Sequence, residues 1–237
     1  RTDAATLCSL AHSHDCLTIV DAVTSLGGID VDVDGWGADA VYSGTQKCLS
    51  CAPGLSPVTF SERAQQAIQS RTQRVQSWFL DMDLVMGYWG EGAQRAYHHT
   101  APINALYGLH EALVILQEEG LEHAWARHQK NHAALAAGLE CLGINFVVDA
   151  DYRLPQLNCV TIPEGADDAA VRKQLLSDYQ LEIGAGLGPL AGKVWRIGLM
   201  GYASNQKNVL LCLSALDTVL AQQGVAIESG KAVAAAL

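Results

Sequence analysis

The stretch DAVYSGTQKCLSCAPG, residues 39–54, passes from a short apolar run through a Ser-Gly turn to Lys47. Its beginning belongs to the apolar pattern of residues 38–42, which predicts a strand buried on both faces of a sheet. An equivalent buried run, LTIV at residues 17–20, ends at Asp21. Ligands in open α/β sheets lie beyond the carboxyl ends of the strands. We therefore expect Asp21 and Lys47 to face one crevice.

The composition is that of a globular protein, with 237 residues, 49% hydrophobic and 17% charged. A net charge of −10 argues against a nucleic-acid backbone or an anionic membrane as partner, and no apolar run reaches the roughly 20 residues that span a bilayer. Seven cysteines, an odd count, indicate a reducing and therefore intracellular setting. We predict the cytoplasm and leave the peroxisome and the mitochondrion open. The chain begins without methionine or a signal pattern, so we expect it to be part of a longer protein.

The pattern along the chain predicts two regions that meet near residue 120. Residues 1–120 carry the two strands and form an α/β region, whereas residues 121–237 form a smaller α+β region with a loose tail at 225–237. Residues 73–102 are rich in aromatics and show no clean period. The other predicted elements are helices at 6–14, 62–71, 104–119, 121–142, 167–179 and 208–222, and strands at 56–60, 144–148, 157–162 and 194–199.

The order of Asp21 and Lys47 suits the chemistry of pyridoxal phosphate (PLP). That cofactor needs a lysine amine to form a Schiff base with its aldehyde. It also needs a carboxylate beside the ring nitrogen, because a charged partner keeps the pyridinium protonated. An aspartate at one strand end and a lysine after the next strand could supply both groups.

Several ordered motifs resemble the class V aminotransferases, most closely the alanine–glyoxylate and serine–pyruvate aminotransferase group. They are IVDAVTSLGG (19–28), YSGTQK (42–47), YHHTAP (97–102), GLGP (186–189) and RIG (196–198). The resemblance covers nearly all of residues 5–222. It implies the later part of a large PLP-binding domain, with a mostly parallel sheet flanked by helices, followed by a small α+β domain. It also implies that the family's phosphate-binding loop and ring-stacking aromatic lie upstream of this chain.

The resemblance assigns cofactor roles to residues at the two strand ends. Lys47 corresponds to the Schiff-base lysine, and Asp21 to the partner of the pyridinium nitrogen. Val23 would pack on the cofactor ring, and Gln46 would position the ring hydroxyl or the phosphate. Gln46 also argues against the related cysteine desulfurases, which usually have a histidine before the lysine.

Three further residues have roles implied by the resemblance. Tyr97 and Thr100 correspond to residues that reach across a homodimer interface to the cofactor phosphate of the neighbouring subunit. Arg196 corresponds to the arginine that binds the substrate carboxylate, and a planar guanidinium suits that task because it donates two parallel hydrogen bonds. The expected assembly is a homodimer with shared active sites.

The function implied is transfer of an amino group from L-alanine or L-serine to glyoxylate or pyruvate. One alternative is ureidoglycine–glyoxylate aminotransferase, which the motifs QKCL (46–49) and HHT (98–100) also resemble. Tyr97 favours the alanine or serine enzymes, because an asparagine is expected before the paired histidines in the ureidoglycine enzyme. A second alternative is a truncated, non-catalytic homologue that dimerises without binding the cofactor.

Cysteines and histidines outside these motifs have plainer interpretations. Cys48-x-x-Cys51 is predicted to pack beside Lys47 and not to bind zinc or act in redox chemistry, because two further ligands are missing and a turn, not a helix, follows. The pair His98-His99 is predicted to make structural hydrogen bonds. The histidines of the long helix, at 123, 128 and 132, are predicted to form one solvated face.

Overall fold

The computed structural model describes residues 1–89 and 96–237. The first half of the chain contains α1 (Ala4–Ser13), β1 (Ile19–Asp21), β2 (Ala40–Tyr42), β3 (Val58–Phe60), α2 (Glu62–Gln69), α3 (Met82–Trp89) and α4 (Ile103–Glu119). The second half contains α5 (Leu121–Cys141), β4 (Leu157–Thr161), α6 (Asp168–Tyr179), β5 (Gly184–Ala185), β6 (Val194–Gly198), α7 (Gln206–Gln222) and α8 (Ala232–Ala235). In the segment 73–102, where no regular period was found, α3 forms a helix and residues 90–95 lie outside the described part.

The first sheet has the strand order β1-β2-β3. Strands β1 and β2 are parallel, with Asp21 opposite Tyr42, and β2 pairs with β3 in the antiparallel sense. The carboxyl ends of β1 and β2 therefore lie at the same edge of the sheet, which confirms the predicted placement of Asp21 beside the segment that leads to Lys47.

The prediction that β1 is buried on both faces is wrong for this chain. Ile19 is 76% exposed, and Asp21 is exposed as well. The reason is that β1 lies at the end of the described sheet and pairs only with β2, so one of its edges has no neighbouring strand among the described residues.

The buried carboxylate of Asp39 joins α1, β1 and α2 at the start of this sheet. It accepts hydrogen bonds from the Thr18 amide at 2.9 Å, from His12 Nε2 at 2.8 Å and from the Ser61 hydroxyl at 3.0 Å. Burial acts to raise the pKa of Asp39, but the hydrogen bonds from His12, Thr18 and Ser61 together hold it below its usual value. Asp39 therefore stays charged while it fixes the start of the two parallel strands.

The second sheet is antiparallel, with the order β4-β6-β5, and carries the larger core. Helices α5, α6, α7 and α8 pack around it, and Trp195 is fully buried at its centre, with Nε1 donating to Asp168 Oδ1 at 2.9 Å. A separate small cluster in the first half contains Cys8, Ala22, Ala38 and Val41. The predicted domain division near residue 120, with residues 1–120 and 121–237 as the two units, falls between the two clusters and stays a prediction.

Two predictions for the second half are wrong. The tail at 225–237 is not loose, because α8 packs on α5 so closely that a Cβ at Gly138 would lie 2.9 Å from the Ala232 carbonyl oxygen. The segment 144–148 is not a strand and makes only an isolated bridge between Phe146 and Val160. Phe146 instead packs beneath the guanidinium of Arg153, whose Cζ lies 4.1 Å from the ring centroid.

Within the described residues, none of the helices is both long enough and apolar enough to cross a membrane.

Candidate active site

Asp21 lies at the carboxyl end of β1 with both carboxylate oxygens fixed by the protein. Oδ1 accepts a hydrogen bond from the Val23 amide at 2.8 Å, and Oδ2 accepts one from the Tyr42 hydroxyl at 2.8 Å. The hydrogen bond to Asp21 raises the pKa of Tyr42, because the neighbouring anion opposes loss of the phenolic proton, and desolvation raises it further. The carboxylate is exposed, so the two bonds orient it without removing it from solvent.

Sequence reasoning did not identify Tyr42 as a site residue. The signal was available, because two parallel strands that end at Asp21 and Tyr42 place these residues opposite each other and on the same face. Val23, predicted to pack on the cofactor ring, is half-buried and lies two positions after Asp21, whose carboxylate its amide binds.

The segment from Ser43 to Lys47 is tied down at the carboxyl end of β2. Ser43 donates its hydroxyl to the Ala22 carbonyl at 3.0 Å, which joins it to the chain that follows Asp21. The buried Thr45 donates its hydroxyl to Ala52 O at 2.7 Å, and its own carbonyl accepts from the Cys51 amide at 3.0 Å. Lys47 therefore projects, half-buried, from a loop of fixed shape.

Gln46 is exposed beside Lys47 and folds back over the Ser-Gly turn. A Cβ at Gly44 would lie 2.7 Å from Gln46 Oε1, so glycine at this position leaves the room that the side chain takes. Gln46 therefore places a neutral hydrogen-bonding group over the turn that leads to Lys47.

Cys48 does not behave as a reactive thiol. Its side chain is buried, and burial raises the pKa of the thiol to about 11, so it stays protonated at neutral pH. All seven cysteines are free, and no group of three or more His, Cys, Asp or Glu side chains that could hold a metal occurs among the described residues. Packing beside Lys47 is the interpretation that this geometry favours.

Arg196 projects from β6 on the side away from the core, because Trp195 and Ile197 alternate with it and face inwards. Its Nε donates to the Ala185 carbonyl at 2.8 Å, which fixes the plane of the guanidinium. A Cβ at Gly184 would lie 3.3 Å from Nη2, so the glycine keeps the space beside that nitrogen open. The two Nη groups are thereby oriented for a planar, two-oxygen ligand.

Tyr97 and Thr100 lie together on the surface, with their hydroxyl oxygens 2.5 Å apart. Tyr97 is 73% exposed and Thr100 is exposed too. In the described part of the chain, no hydrogen bond joins either residue to Asp21 or Lys47. Between them in sequence, His98 stacks on Trp78 at 4.1 Å between ring centroids and binds the Trp78 carbonyl at 3.1 Å, as expected for a structural histidine.

The two sheets meet where the loops after β1 and β2 contact the second half. The fully buried Gln156, which precedes β4, donates from Nε2 to the Ser25 carbonyl at 3.4 Å. The Ser50 hydroxyl, three positions after Lys47, accepts from the Tyr202 amide at 2.9 Å. These contacts join the loops that follow Asp21 and Lys47 to the segment before β4 and to the turn after β6, the strand that carries Arg196.

We expect Gly28→Ala to lower the free energy of unfolding by about 1–3 kcal/mol, because a Cβ at Gly28 would lie 2.3 Å from Nε2 of the buried Gln156. Gly87→Ala is the matched control, since a Cβ there meets nothing within 4 Å and alanine favours the helix. Urea unfolding followed by tryptophan fluorescence measures both. Equal stability of the two variants would contradict the close packing at Gly28.

The prediction of one solvated histidine face on α5 is wrong. His123 is exposed, but His128 and His132 are buried against the second sheet and its connections. His128 donates from Nδ1 to the Ala124 carbonyl at 2.6 Å and accepts the Gly201 amide on Nε2 at 2.8 Å. His132 donates from Nδ1 to Asn158 Oδ1 at 2.7 Å. Polar partners beyond the helix, which helical periodicity does not reveal, allow these side chains to face inwards.

These buried histidines predict a loss of stability in acid. Burial lowers the pKa of His128 and of His132 below the ordinary value of 6.5, so the unfolded chain binds more protons than the native chain as the pH falls below that value. The urea midpoint should be higher at about pH 7.5 than at about pH 5.5, and this difference should be smaller in His128→Gln. The control is His14→Gln, an exposed histidine outside α4 and α5, which should show the same difference as the unsubstituted chain. A slope that His128→Gln leaves unchanged would contradict the contribution of His128.

The structure is similar to solved PLP-dependent aminotransferases. The crystal structure of ureidoglycine–glyoxylate aminotransferase from Bacillus subtilis superposes with a TM-score of 0.95 at 41% identity, over 99% of this chain and 60% of that one. Alanine–glyoxylate aminotransferase from Nostoc sp. superposes with a TM-score of 0.87 at 48% identity, over 90% of this chain and 56% of that one. The fold is therefore that of fold-type I PLP-dependent aminotransferases, as predicted.

The sequence comparison gives the family. The family model described as "Aminotransferase class-V" matches residues 1–209. The alanine–glyoxylate aminotransferase of Callithrix jacchus is 42% identical to this chain, and the match covers 89% of this chain and 51% of that protein. The chain belongs to the class-V aminotransferase family. It spans between about half and three fifths of the length of these relatives.

Proposed function

We propose that this chain takes part in PLP-dependent transamination with glyoxylate as an amino acceptor. The observation that carries the proposal is the Asp21 carboxylate, held by the Val23 amide and the Tyr42 hydroxyl at the same sheet edge as Lys47. The relatives support it, since they include enzymes named for transfer between alanine or ureidoglycine and glyoxylate.

The residues present fit the chemistry of PLP. When bound, PLP supplies an aldehyde that condenses with amines and a ring that accepts electrons from the substrate Cα. The oriented carboxylate of Asp21 would hold a proton on the ring nitrogen, with Val23 against the ring and Gln46 beside its polar substituents. The Lys47 amine would hold the aldehyde carbon and, once released, would take the proton from the substrate Cα and return it to that former aldehyde carbon of the cofactor.

Arg196 would bind the substrate carboxylate through its two Nη groups. We expect Arg196→Lys to lower kcat/KM about 10²-fold, mainly by raising KM for the amino donor, because a lysine cannot donate two parallel hydrogen bonds from a fixed plane. Steady-state kinetics measure the effect, with Arg71→Lys at an exposed position as the control. A KM unchanged by the substitution would show that the carboxylate binds elsewhere.

Two candidate functions differ in the amino donor. L-alanine or L-serine, with glyoxylate or pyruvate as acceptor, is favoured by Tyr97, whose hydroxyl contacts Thr100. Ureidoglycine is favoured to the same extent by the relatives, one of which is the Bacillus subtilis ureidoglycine–glyoxylate enzyme at 40% identity. A donor panel of L-alanine, L-serine and (S)-ureidoglycine, each with glyoxylate and with pyruvate, distinguishes the two by kcat/KM.

A homodimer with shared active sites is part of the proposal. Helix α4 has no buried residue, and it exposes apolar side chains along its length, among them Ile103, Tyr107 and Ile115. Such a surface is typical of an interface, and it begins directly after Tyr97 and Thr100. Light scattering after size exclusion measures the assembly, and Tyr107→Asp should shift it towards monomer if α4 lies in the interface.

The alternative of a non-catalytic homologue is tested by cofactor binding. PLP bound to a lysine gives an absorbance band near the visible edge, which free chain lacks. A band from the 237-residue chain supports the enzyme. If the 237-residue chain gives no band and a longer protein that contains these residues does, the chain alone is inactive.

A further inference from the structure

The turn that follows β6 is fixed to α5 by an array of hydrogen bonds. Arg127 donates from Nη1 to the carbonyl oxygens of Gly201 at 2.7 Å and Ser204 at 2.8 Å. His128 accepts the Gly201 amide, and Asn131 donates to the Ser204 carbonyl at 2.9 Å. The turn, Gly201–Ala203, therefore holds its Tyr202 amide at a fixed place.

The same turn is closely connected to Arg196. Strand β6 ends two residues before the turn begins, and the intervening Leu199 donates its amide to the Gln156 carbonyl at 2.8 Å. Because this connection is short and hydrogen-bonded, the turn that holds the Tyr202 amide cannot move far relative to the strand that carries Arg196.

Ser50 contacts this turn from the loop that carries Lys47, residues 43–52. Its hydroxyl accepts the Tyr202 amide at 2.9 Å, and its own amide donates to the Lys47 carbonyl at 3.0 Å. A Cβ at Gly201 would lie 2.0 Å from Ser50 Oγ, so the close approach requires glycine on the opposite side. Gly201 also has a φ of +54°, which favours glycine for a second reason.

The backbone of Ser50 is in the left-handed region, with a φ of +58°. Within residues 1–89 and 96–237, two other non-glycine residues share this conformation, Asp15 and Gln180, and both lie just past the end of a helix, where it is common. Ser50 is not at a helix end. Left-handed backbone at a serine costs free energy and persists only where surrounding contacts enforce it, which is frequent at functional sites.

We propose that Ser50 is a positioning residue, which fixes the loop of Lys47 against the turn that follows the strand of Arg196. The inference rests on the proposed function for its catalytic consequence. A substrate whose carboxylate is held by Arg196 must present its Cα to the Lys47 amine, and a misplacement of about 1 Å between such groups can cost about 10²-fold in rate. The hydroxyl of Ser50 limits relative movement of Lys47 and Arg196, because it bonds the loop of Lys47 directly to the turn that follows β6.

Two substitutions separate the hydroxyl from the backbone conformation. Ser50→Ala keeps a side chain in the left-handed region and removes the acceptor. Ser50→Asn supplies a new acceptor, and asparagine tolerates this conformation better than most residues. Ser214→Ala, at an exposed position of α7, is the control.

The first measurement is amide hydrogen exchange by NMR, which needs neither cofactor nor turnover. We expect Ser50→Ala to speed exchange at the Tyr202 amide and at residues 47–51 by about tenfold, while α6 is unaffected. Ser50→Asn should stay near the unsubstituted chain, and Ser214→Ala should match it. Unchanged exchange at Tyr202 in Ser50→Ala would overturn the proposal, because water would then serve equally well as the acceptor.

The second measurement is kinetic, on whichever form of the protein is active. We expect Ser50→Ala to lower kcat/KM about tenfold with the melting temperature within about 2 °C of the unsubstituted protein, and Ser50→Asn to restore most of the activity. Parallel loss of stability and activity that Ser50→Asn does not restore would overturn the positioning role. If the unsubstituted protein transfers no amino group, the proposed function fails, and the exchange data alone decide whether Ser50 fixes the loop.

Discussion

Replacement of Lys47 by alanine should abolish amino transfer, lowering kcat by at least about 10³-fold. Alanine can neither form the bond to the cofactor aldehyde nor carry the proton from the substrate Cα. The fold should survive, because the loop is held by Ser43, Thr45 and Cys51 and not by the lysine side chain. The measurements are turnover, the absorbance band with added PLP, and the mass of the tryptic peptide that carries the cofactor after borohydride reduction.

Two companion variants sharpen this test. Lys47→Arg keeps the positive charge but not the nucleophilic amine, because arginine remains protonated at every accessible pH, and it should be as inactive as Lys47→Ala. Lys130→Ala removes an exposed lysine from α5 and should keep full activity. Retention of both the absorbance band and the turnover in Lys47→Ala would refute the assigned role of Lys47 and, with it, the proposed mechanism.

The sequence predicted those features of the fold that depend on short-range pattern. Two apolar runs that end at Asp21 and at the Ser-Gly turn gave the parallel strand pair and the edge at which the site lies. The lengths of α4 and α5 followed from the apolar pattern and from the glycines that close those helices. The motif order gave the family, because several motifs in a fixed sequence are far more specific than any single aspartate or lysine.

The features that were missed depend on contacts between distant residues. Burial of His128 follows from the Gly201 amide that it accepts, and nothing in the surrounding helix sequence reveals a partner 73 positions away. The contact between Ser50 and Tyr202 spans 152 positions and joins two loops that have no periodicity at all. Exposure of Ile19 depends on which strand lies beside β1, and this is a property of the assembled sheet.

Asp21→Asn should lower kcat about 10²- to 10³-fold, because asparagine keeps the shape of the side chain but removes the negative charge that would hold a proton on the cofactor ring nitrogen. Asparagine Oδ1 can still accept from the Val23 amide, so the loop after β1 should keep its conformation. The control is Asp34→Asn, an exposed aspartate in the connection between β1 and β2. Turnover within about threefold of the unsubstituted protein would show that the ring nitrogen has another partner.

Tyr42→Phe separates the charge of Asp21 from its orientation. The Tyr42 hydroxyl donates to Asp21 Oδ2, and its removal leaves the carboxylate charged but held by the Val23 amide alone. We therefore expect a loss of about tenfold or less, well below that of Asp21→Asn, since this hydrogen bond is exposed to solvent and such a bond contributes about 0.5–1.5 kcal/mol. If the two variants lost activity equally, orientation and not charge would be the main contribution of Asp21. The carboxylate would then act through the geometry that the paired ends of β1 and β2 impose.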